Sequence, residues 1–304
     1  MTKTKNSAGP RRVLIVFNPT AGARRRKRLR DVLDALAARG CIATVRETRA
    51  PGDAALIAAA TRRDDFEVIA AAGGDGTLNE VVNGLGPTAP PVAVMPFGTA
   101  NVAALEIGVG ADAVTIAGLI ADGEPAPAWL GRVGGRRFVV MAGVGFDAHV
   151  VESVTPRLKR RLGRGAFVWR SAVELARYRF PTFALTVDGE AMTAASAIVA
   201  NGRYYAGPYM CAPAAGLDRP GLQLCLFERA GRAAVARYGL ALLTGRLAAA
   251  AGYRVVPAGR IEIAGPAGEP VQADGELVAR LPTTIEGTGE RVMLLRPKAP
   301  AGRS

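Results

Sequence analysis

A short apolar segment that leads directly into a glycine-rich turn constrains the fold of this chain more than any other feature. Val68–Ala72 is apolar throughout, and Gly-Gly-Asp-Gly-Thr follows at 73–77. Beyond the turn, apolar residues recur at helical spacing from Leu78 to Leu85. An uninterrupted apolar run of this kind is typical of a strand buried in a parallel sheet. The sequence therefore predicts a strand, a tight turn and a helix.

The turn at 73–77 has features that suit a bound anion. Backbone N–H groups at the start of a helix have no partner inside the helix, and the helix dipole favours negative charge there. Three glycines allow the main chain to come close to a phosphate group. Asp75 would repel such a phosphate unless a metal ion or a donor group lies between them. Taken alone, the five residues are equally typical of an ordinary strand-to-helix turn.

Three more turns follow predicted strands in the first part of the chain. The strands at 13–17, 42–46 and 92–95 lead into Asn18–Gly22, Thr48 and Gly98–Asn101. Predicted helices at 24–39 and 53–63 alternate with the strands, which is typical of βαβ units and a parallel sheet. The carboxyl ends of parallel strands share one edge, where ligands bind in such folds. Four turns that converge on one edge favour a phosphate site.

The pattern changes near 121–132, where prolines and glycines interrupt it. Beyond this point, short alternating strands separated by Gly/Pro turns predict an antiparallel sheet or sandwich. These strands are predicted at 137–141, 183–187, 196–200, 222–227 and 260–263, with helices near 165–178 and 233–250. The length of 304 residues suits two domains of about 100–200 residues each. We therefore predict a basic disordered lead at 1–12, an α/β domain at 13–124, a β-rich domain at 125–280 and one or two strands at 281–304.

Composition limits the partners without selecting one. The chain has 39 Lys and Arg against 26 Asp and Glu, and its net charge of +13 favours nucleotide, nucleic acid or an acidic membrane face. The three cysteines are widely spaced, which indicates reduced, buried thiols in a cytosolic protein. The single histidine, His149, has no metal-ligand neighbours, which argues against zinc and Ser-His chemistry. Arg237 and Arg246 interrupt the longest apolar segment, so any membrane contact is expected to be peripheral.

Two cationic clusters each allow two interpretations. The run at 24–28, which includes Lys27, is either a solvated helix face or a set of cations beside the phosphate site. The cluster at 157–164 precedes Trp169. It suits either an interfacial helix on anionic lipid or a core-packed helix with a basic flank.

Two later motifs carry acidic residues that could take part in chemistry. Gly143–Ala148 formally matches a dinucleotide-binding loop, but a tight turn that places Asp147 at a cleft between the domains is favoured. Asp274 and Glu276 flank a glycine. A hairpin turn explains Asp-Gly alone, whereas two neighbouring carboxylates suit metal binding or general base catalysis.

The motifs described above, in the order in which they follow one another along the chain, resemble those of the diacylglycerol kinase catalytic family of lipid kinases. The family includes soluble bacterial diacylglycerol kinases, YegS-like lipid kinases, and sphingosine and ceramide kinases. The motifs are NPTAG at 18–22, Thr48, GGDGT at 73–77 with LNEVVN after it, PFGTAN at 96–101, GVGFDA at 143–148 and ADGE at 273–276. GGDGT alone is shared with NAD kinases and related phosphofructokinases, whereas the ordered set is specific to the lipid kinases.

The resemblance implies a fold and a reaction. The fold is a Rossmann-like α/β domain, as in NAD kinases and phosphofructokinases, and an antiparallel β-sandwich, with C-terminal strands that return to the first domain. The reaction is ATP-dependent transfer of the γ-phosphoryl group to a lipid hydroxyl, of diacylglycerol or a related lipid, with Mg²⁺. The residues that would contact ATP are Asn18, Gly22, Thr48, Gly73, Gly74, Asp75, Gly76, Thr77 and Thr99.

Phosphoryl transfer to an alcohol needs a carboxylate that accepts the proton of the hydroxyl. The resemblance assigns this role to the pair Asp274 and Glu276, with Glu276 favoured. Asp75 is the rival, either as base or as metal partner. From position alone, Lys27 or an arginine of the same run could neutralise charge in the transition state.

The sequence departs from the family pattern at two places that bear on metal binding. Val102 follows Asn101, where an acidic residue is usual. Arg219 and Pro220 stand where a second acid and a glycine are usual, which leaves Asp218 as a weak metal ligand. We therefore expect the accessory Mg²⁺ sites to be weakened.

The resemblance also implies partners and a location. We expect a lipid substrate, a cytoplasmic protein and peripheral association with the anionic inner face of the membrane; nucleic acid is not an expected partner, and a homodimer is left open. Two alternatives remain. One is a small-molecule kinase resembling NAD kinase, and the other is a nucleotide-gated membrane or nucleic-acid binding protein whose catalysis has lapsed.

Overall fold

The computed structural model of the chain describes residues 10–19, 23–155, 158 and 163–298. The first part contains β1 (Arg12–Phe17), α1 (Ala23–Ala37), β2 (Ile42–Glu47), α2 (Asp53–Ala59), β3 (Val68–Gly73), α3 (Asp75–Gly84), β4 (Val92–Pro96), α4 (Val102–Glu106) and α5 (Ala113–Asp122).

The second part is rich in strands. It contains β5 (Glu124–Val133), β6 (Arg136–Phe138), β7 (Met141–Val144), α6 (Phe146–Ser153), α7 (Arg164–Arg177), β8 (Phe183–Val187), β9 (Glu190–Ala194), β10 (Ser196–Ala200), β11 (Tyr204–Tyr205), β12 (Tyr209–Met210), β13 (Leu222–Phe227), α8 (Arg232–Leu243), a 3₁₀ turn (Leu247–Ala249), β14 (Tyr253–Ala258), β15 (Arg260–Gly265), β16 (Pro270–Ala273), β17 (Glu276–Arg280) and β18 (Thr283–Arg296).

The first four strands form a parallel sheet in the order β2-β1-β3-β4. Every residue of β3 and β4 is buried. Successive side chains of a strand point to opposite faces, so complete burial means that both faces of the sheet are covered. The helices provide this cover, with α1 packed against α5 and α2 against α3.

The long strand β18 joins the two parts of the chain. It pairs in parallel with β4, where Leu294 lies opposite Val92, and in antiparallel fashion with β5 and β15. Through β15, β8 and β9 the same hydrogen-bonded sheet reaches ten strands. The predicted segments 13–124, 125–280 and 281–304 therefore share one sheet.

A second sheet of six strands completes a sandwich. Its order is β14-β13-β10-β7-β16-β17, and its neighbours pair in antiparallel fashion. A separate core lies between the two sheets and includes Phe138, Phe183, Leu224, Ile261 and Ile285. The predicted fold class, an α/β domain with a parallel sheet and a β-rich domain with an antiparallel sandwich, is confirmed.

Several element boundaries differ from the prediction. The segment predicted as one strand at 137–141 is two strands, β6 and β7, because the N–H groups of Val139 and Val140 turn to the Asp274 carboxylate. The helix predicted over 233–250 ends at Leu243, near Gly245 in the left-handed region at φ 68°. Arg12, placed in the basic lead, begins β1, and residues 1–9 of that lead lie outside the described residues.

The structure also gives the surroundings of the cysteines and the histidine. Cys211 and Cys225 are buried, Cys41 is half-buried, and all three are free thiols. His149 Nε2 lies 2.7 Å from Glu269 Oε2, in a contact with a side chain of the sandwich. None of the helices in the described part of the chain is long and apolar enough to cross a membrane.

Candidate active site

Two glycine turns meet at the carboxyl edge of the parallel sheet. Gly73 ends β3, and its carbonyl accepts a hydrogen bond of 2.9 Å from the N–H of Phe97, just after β4. A Cβ placed on Gly98 would overlap Gly74 Cα, and a Cβ placed on Gly73 would overlap the Thr77 side chain. These glycines are therefore required by close approach, and the approach leaves a cradle of main chain at the start of α3.

The other predicted turns reach the same edge. Asn18, directly after β1, donates from Nδ2 to Thr77 Oγ1 at 3.2 Å. The N–H of Thr48, directly after β2, donates to the Phe17 carbonyl at 2.9 Å. Thr99 lies in the turn before α4, and Gly22 lies outside the described residues.

Asn101 closes the turn that contains Thr99. Its Oδ1 accepts from the Gly98 N–H at 2.8 Å, and its Nδ2 donates to the Pro96 carbonyl at 3.2 Å. The residue is in the left-handed region at φ 51°, a conformation that asparagine tolerates better than most residues. This explains why asparagine occupies the position before α4.

The cationic run at the start of α1 divides into two groups. Arg25 donates from Nη1 to the Asn18 carbonyl at 3.2 Å, and Arg28 donates from Nη2 to the Pro96 carbonyl at 3.1 Å. Arg28 also lies over the Phe97 ring, 4.5 Å from its centroid. Both guanidinium groups therefore lie beside the glycine turns. Lys27 instead pairs with Asp31 on the exposed face of the helix.

Arg25 has spare capacity for hydrogen bonding. Burial and the charge of Arg28 lower the pKa of its guanidinium, although an arginine remains charged at neutral pH. Its Nε is buried and has no hydrogen-bond partner in the described part of the chain. A buried donor without an acceptor is costly, so this atom suits an anionic oxygen supplied by a ligand.

A hairpin from the sandwich brings a carboxylate to the same cradle. Asp274 and Gly275 form the turn between β16 and β17, with φ values of 48° and 80°, as in a two-residue hairpin turn. The next residue, Glu276, reaches Gly76 of α3, where a Cβ on the glycine would lie 2.5 Å from Glu276 Oε1. A side chain from the second part of the chain thus reaches the main-chain cradle of the first.

The Asp274 carboxylate accepts four hydrogen bonds. Its Oδ2 accepts from Val139 N at 2.7 Å and from Asn79 Nδ2 at 2.8 Å, and its Oδ1 accepts from Val140 N at 2.9 Å and Met141 N at 3.1 Å. Burial raises the pKa of Asp274 to about 6, although the four donors lower it. Four donors use the acceptor sites of a carboxylate, so Asp274 anchors the hairpin to α3 and to the chain before β7.

Glu276 is half-exposed and held by one cation. Its Oε2 lies 2.8 Å from Arg136 Nη2. The same nitrogen donates to Asn79 Oδ1 at 3.2 Å, which ties the pair to α3. Of the two predicted carboxylates, Glu276 is the one that faces the cleft with an oxygen beside the cradle.

A second hydrogen-bond network supports the hairpin that carries Glu276. Gln272 Oε1 accepts from the Gly275 N–H at 3.0 Å, and Gln272 Nε2 donates to Asp147 Oδ2 at 2.7 Å. The Tyr205 hydroxyl donates to the other Asp147 oxygen. Burial raises the pKa of Asp147, against the effect of these two donors. Asp147 and Gln272 thus fix the backbone of the turn that precedes Glu276.

Three residues of this site, Asn79, Arg136 and Gln272, were not identified from the sequence. Asn79 carried a usable signal, because Asn79 and Asn83 are polar residues four positions apart on a helix that is otherwise largely buried. Arg136 and Gln272 carried none, because Arg136 contacts Asn79 and Glu276, both distant in the sequence, and the contact of Gln272 with Asp147 spans 125 positions.

The remaining acidic candidates have other neighbours. Asp75 begins α3, and its Oδ1 accepts from the Ala103 N–H at 3.0 Å, which joins the two glycine turns. Asp218 is exposed and lies beside Arg203 and Arg296. No group of three or more His, Cys, Asp or Glu side chains is placed to hold a metal ion within the residues described.

Comparisons with known proteins cover both parts of the chain. The model of the diacylglycerol kinase catalytic domain matches residues 12–133, and that of the YegS C-terminal NAD kinase beta sandwich-like domain matches residues 139–296. Over 184 residues the chain is 34% identical to diacylglycerol kinase of Bacillus subtilis, covering 59% of this chain and 61% of the relative. Over 224 residues it is 30% identical to diacylglycerol kinase of Staphylococcus haemolyticus, covering 72% and 68%. The chain thus spans about three fifths to two thirds of these relatives.

Solved structures share the fold over nearly the whole chain. A putative diacylglycerol kinase from Bacillus anthracis superposes with a TM-score of 0.75 at 22% identity, covering 99% of both chains. A second structure, titled as a diacylglycerol kinase from the same organism, gives a TM-score of 0.73 at 25% identity, covering 96% of this chain and 98% of that one.

Proposed function

Because the chain belongs to the family of the diacylglycerol kinase catalytic domain, we propose that it is an ATP-dependent lipid kinase. The reaction is transfer of the γ-phosphoryl group to a hydroxyl of diacylglycerol or a related lipid. The observation that carries the proposal is the contact between Glu276 and Gly76, because it sets a half-exposed carboxylate beside a main-chain cradle shaped for phosphate.

The residues present fit a nucleoside triphosphate. The glycines at 73, 74 and 98 leave main chain where a Cβ would intrude, and the Arg25 Nε lacks a partner among the described residues. At the carboxyl end of β2, next to Thr48, a cavity of about 440 Å³ is lined by Arg46, Glu47, Arg49, Asp53, Leu56 and Ile57. We assign the phosphates to the cradle and the adenosine to this cavity, because the two lie along one edge of the sheet.

Each side chain then has a part in binding. Asn18, Thr77 and Thr99 lie at the cradle, and Arg25 and Arg28 compensate the charge of the phosphates. ATP, when bound, supplies the phosphoryl group. Mg²⁺ in kinase sites is held by one or two carboxylates together with the phosphates, and Asp75 is the carboxylate nearest the start of α3.

Glu276 acts as the general base in this proposal. A primary alcohol is a poor nucleophile, and a positioned carboxylate that accepts its proton contributes about 10²–10⁴ in rate. Arg136 keeps one oxygen of Glu276 in place, while Asp274 and Gln272 fix the turn before it. Asp274 has no remaining acceptor site, so it supports the base and does not serve as one.

The proposal is tested with radiolabelled ATP. The protein is incubated with ATP labelled at the γ-phosphate, Mg²⁺ and a total lipid extract, and the labelled lipid is identified by mass spectrometry. A parallel reaction contains NAD in place of lipid. Label in a phosphorylated diacylglycerol or a related lipid supports the proposal. Label in NADP, or ATP binding without transfer to any lipid, contradicts it.

A further inference from the structure

The outer face of α8 is apolar although it lies on the surface. Ala233, Ala236, Leu240 and Leu243 follow one another at spacings of three and four residues, so they share a face of the helix, and all are exposed. The two leucines are 64% and 61% exposed. A helix of a water-soluble surface normally carries polar residues there, and the opposite face of α8, with Ala234 and Tyr238, is already buried in the core. α8 therefore carries apolar side chains on both faces, with Arg232 and Arg237 exposed beside the outer one.

An arginine-lined cavity lies on the flank of α8 that turns toward the 3₁₀ turn at 247–249, and Arg237 stands between it and the outer face. Its volume is about 310 Å³. Arg229, Arg237 and Arg246 contribute the charge, and the remaining wall consists of Ala234, Tyr238, Ala241 and Ala249–Ala251. None of the three arginines has an ion-pair partner among the residues that the structure describes. Glu228, the acid that directly precedes Arg229, pairs with Arg254.

The neighbouring helix α7 extends the same kind of surface. Arg232 at the start of α8 donates to the Ala176 carbonyl of α7, which holds the two helices together. Val168 and Trp169 of α7 are 72% and 61% exposed. Apolar side chains beside arginines, with tryptophan among them, are the pattern of helices that lie in the interface of a membrane.

We infer that the outer face of α8, with the arginine cavity at its edge, docks on an anionic phospholipid surface. The leucines enter the boundary between headgroups and acyl chains, and the cavity receives a headgroup phosphate. The inference extends the proposed function, because a lipid kinase must reach an acceptor that resides in a membrane. It assigns a surface distinct from the phosphate cradle, which is built on α1, α3 and the strands of the parallel sheet.

The charge of the surface decides between a membrane and a second copy of this chain. A symmetric dimer through α8 would bring the arginines of one copy toward those of the other, and Glu228, the acid that precedes Arg229, is already paired with Arg254. An anionic lipid surface supplies negative charge at each arginine, worth about fivefold in affinity per residue near the surface.

Binding to vesicles tests the inference in the absence of ATP. The full chain is mixed with vesicles of phosphatidylcholine alone or with phosphatidylglycerol added, and bound protein is measured by sedimentation. We expect binding to the mixed vesicles that declines with added salt. The variant Arg229→Gln/Arg237→Gln/Arg246→Gln is expected to bind roughly a hundredfold more weakly. Leu240→Glu/Leu243→Glu is expected to abolish binding.

Two controls match these changes. Arg30→Gln/Arg62→Gln removes exposed arginines from the α/β domain, and Val114→Glu places an acid at an exposed apolar position of α5. Both should bind as the wild type does. Any of three results would overturn the inference. The first is equal binding to vesicles of phosphatidylcholine alone, and the second is wild-type affinity in the Leu240→Glu/Leu243→Glu variant. The third is a dimer, in the absence of vesicles, that this variant disperses.

Phosphorylation of a short-chain, water-soluble diacylglycerol separates this inference from the proposed function. The α8 variants should phosphorylate it at the wild-type rate while they fail on diacylglycerol in anionic vesicles. A wild-type protein that binds the vesicles through α8 but phosphorylates neither acceptor refutes the kinase proposal alone. Active protein that binds no vesicles refutes the docking surface alone.

Discussion

Asp274 and Glu276 are separated by one glycine, yet their surroundings differ in kind. Asp274 is buried and accepts from three backbone N–H groups and one amide. Glu276 is half-exposed and has a single cation as its partner. The sequence could not distinguish them, because both follow the same strand and flank the same turn.

Removing each carboxylate should therefore change stability by different amounts. Asp274→Ala leaves four buried donors without an acceptor and should lower the free energy of unfolding by at least about 2 kcal/mol. Glu276→Ala removes only a half-exposed ion pair and should change it by less than about 1 kcal/mol. Urea unfolding of the two variants provides the comparison, and equal losses would contradict the anchoring role of Asp274.

The same carboxylate should make stability depend on pH. Burial holds the pKa of Asp274 at about 6 in the folded chain, above the ordinary value of 3.8. The folded state therefore binds the proton more tightly, and the stability that it gains is fully present below about pH 4 and is lost as pH rises through about 6. The difference in unfolding free energy between wild type and Asp274→Ala should shrink by about 3 kcal/mol over that window. A difference that is constant with pH would contradict the assignment.

Arg25 and Lys27 provide a test of the cationic run. Arg25 lies at the cradle, and its Nε has no partner in the part of the chain that the structure describes, whereas Lys27 pairs with Asp31 on the exposed face. Arg25→Gln should weaken ATP binding on the order of tenfold, the loss expected for one hydrogen bond to a charged group. Lys27→Gln should bind ATP within about twofold of wild type. Isothermal titration calorimetry measures both, and a larger effect at Lys27 would reverse the assignment.

At the scale of elements, the two glycine turns form one unit. The main chain at Gly98 approaches Gly74 so closely that any Cβ would overlap it. Asp75 and Asn101 add hydrogen bonds that hold α3, α4 and the turn between them together. The main-chain cradle is thus a property of the pair of turns and not of the Gly73–Thr77 stretch alone.

Replacing each of two glycines by alanine tests whether close approach of the main chain, and not general flexibility, requires glycine at 98. Gly98→Ala forces the turns apart and should cost about 1–3 kcal/mol in stability, with weaker ATP binding. Gly86→Ala adds a methyl group in open space and should leave both quantities nearly unchanged or slightly raise stability. Thermal unfolding with and without ATP measures the effects. Equal behaviour of the two variants would refute the close-approach argument.

Secondary-structure elements were predicted correctly where a local sequence pattern determines them. The strands at 183–187, 196–200 and 222–227 have the predicted bounds, because alternation and Gly/Pro turns are local signals. β5 was missed because Pro125 and Pro127 indicate a break. The structure accommodates them since this end of β5 pairs on one side only, with β18, so their missing N–H groups cost no ladder bond.

At the scale of the whole molecule, the site depends on contacts that no local pattern encodes. Asn79 and Asp274 are 195 positions apart and share a hydrogen bond of 2.8 Å. β18 links the parallel sheet to the sandwich, and this linkage sets the hairpin with Glu276 against α3. The sequence predicted the glycine turns and the late carboxylates separately, whereas the roles of Arg136 and Gln272 emerged only from the folded arrangement.

A single turnover of γ-labelled ATP by wild type and by Glu276→Gln, with a diacylglycerol acceptor, tests the role of Glu276. We expect wild type to transfer label to the lipid. Glu276→Gln should bind ATP with unchanged affinity and transfer label about 10²–10⁴ more slowly. Transfer by Glu276→Gln at the wild-type rate would contradict the claim that this side chain, set against Gly76 by the sandwich hairpin, accepts the proton of the lipid hydroxyl.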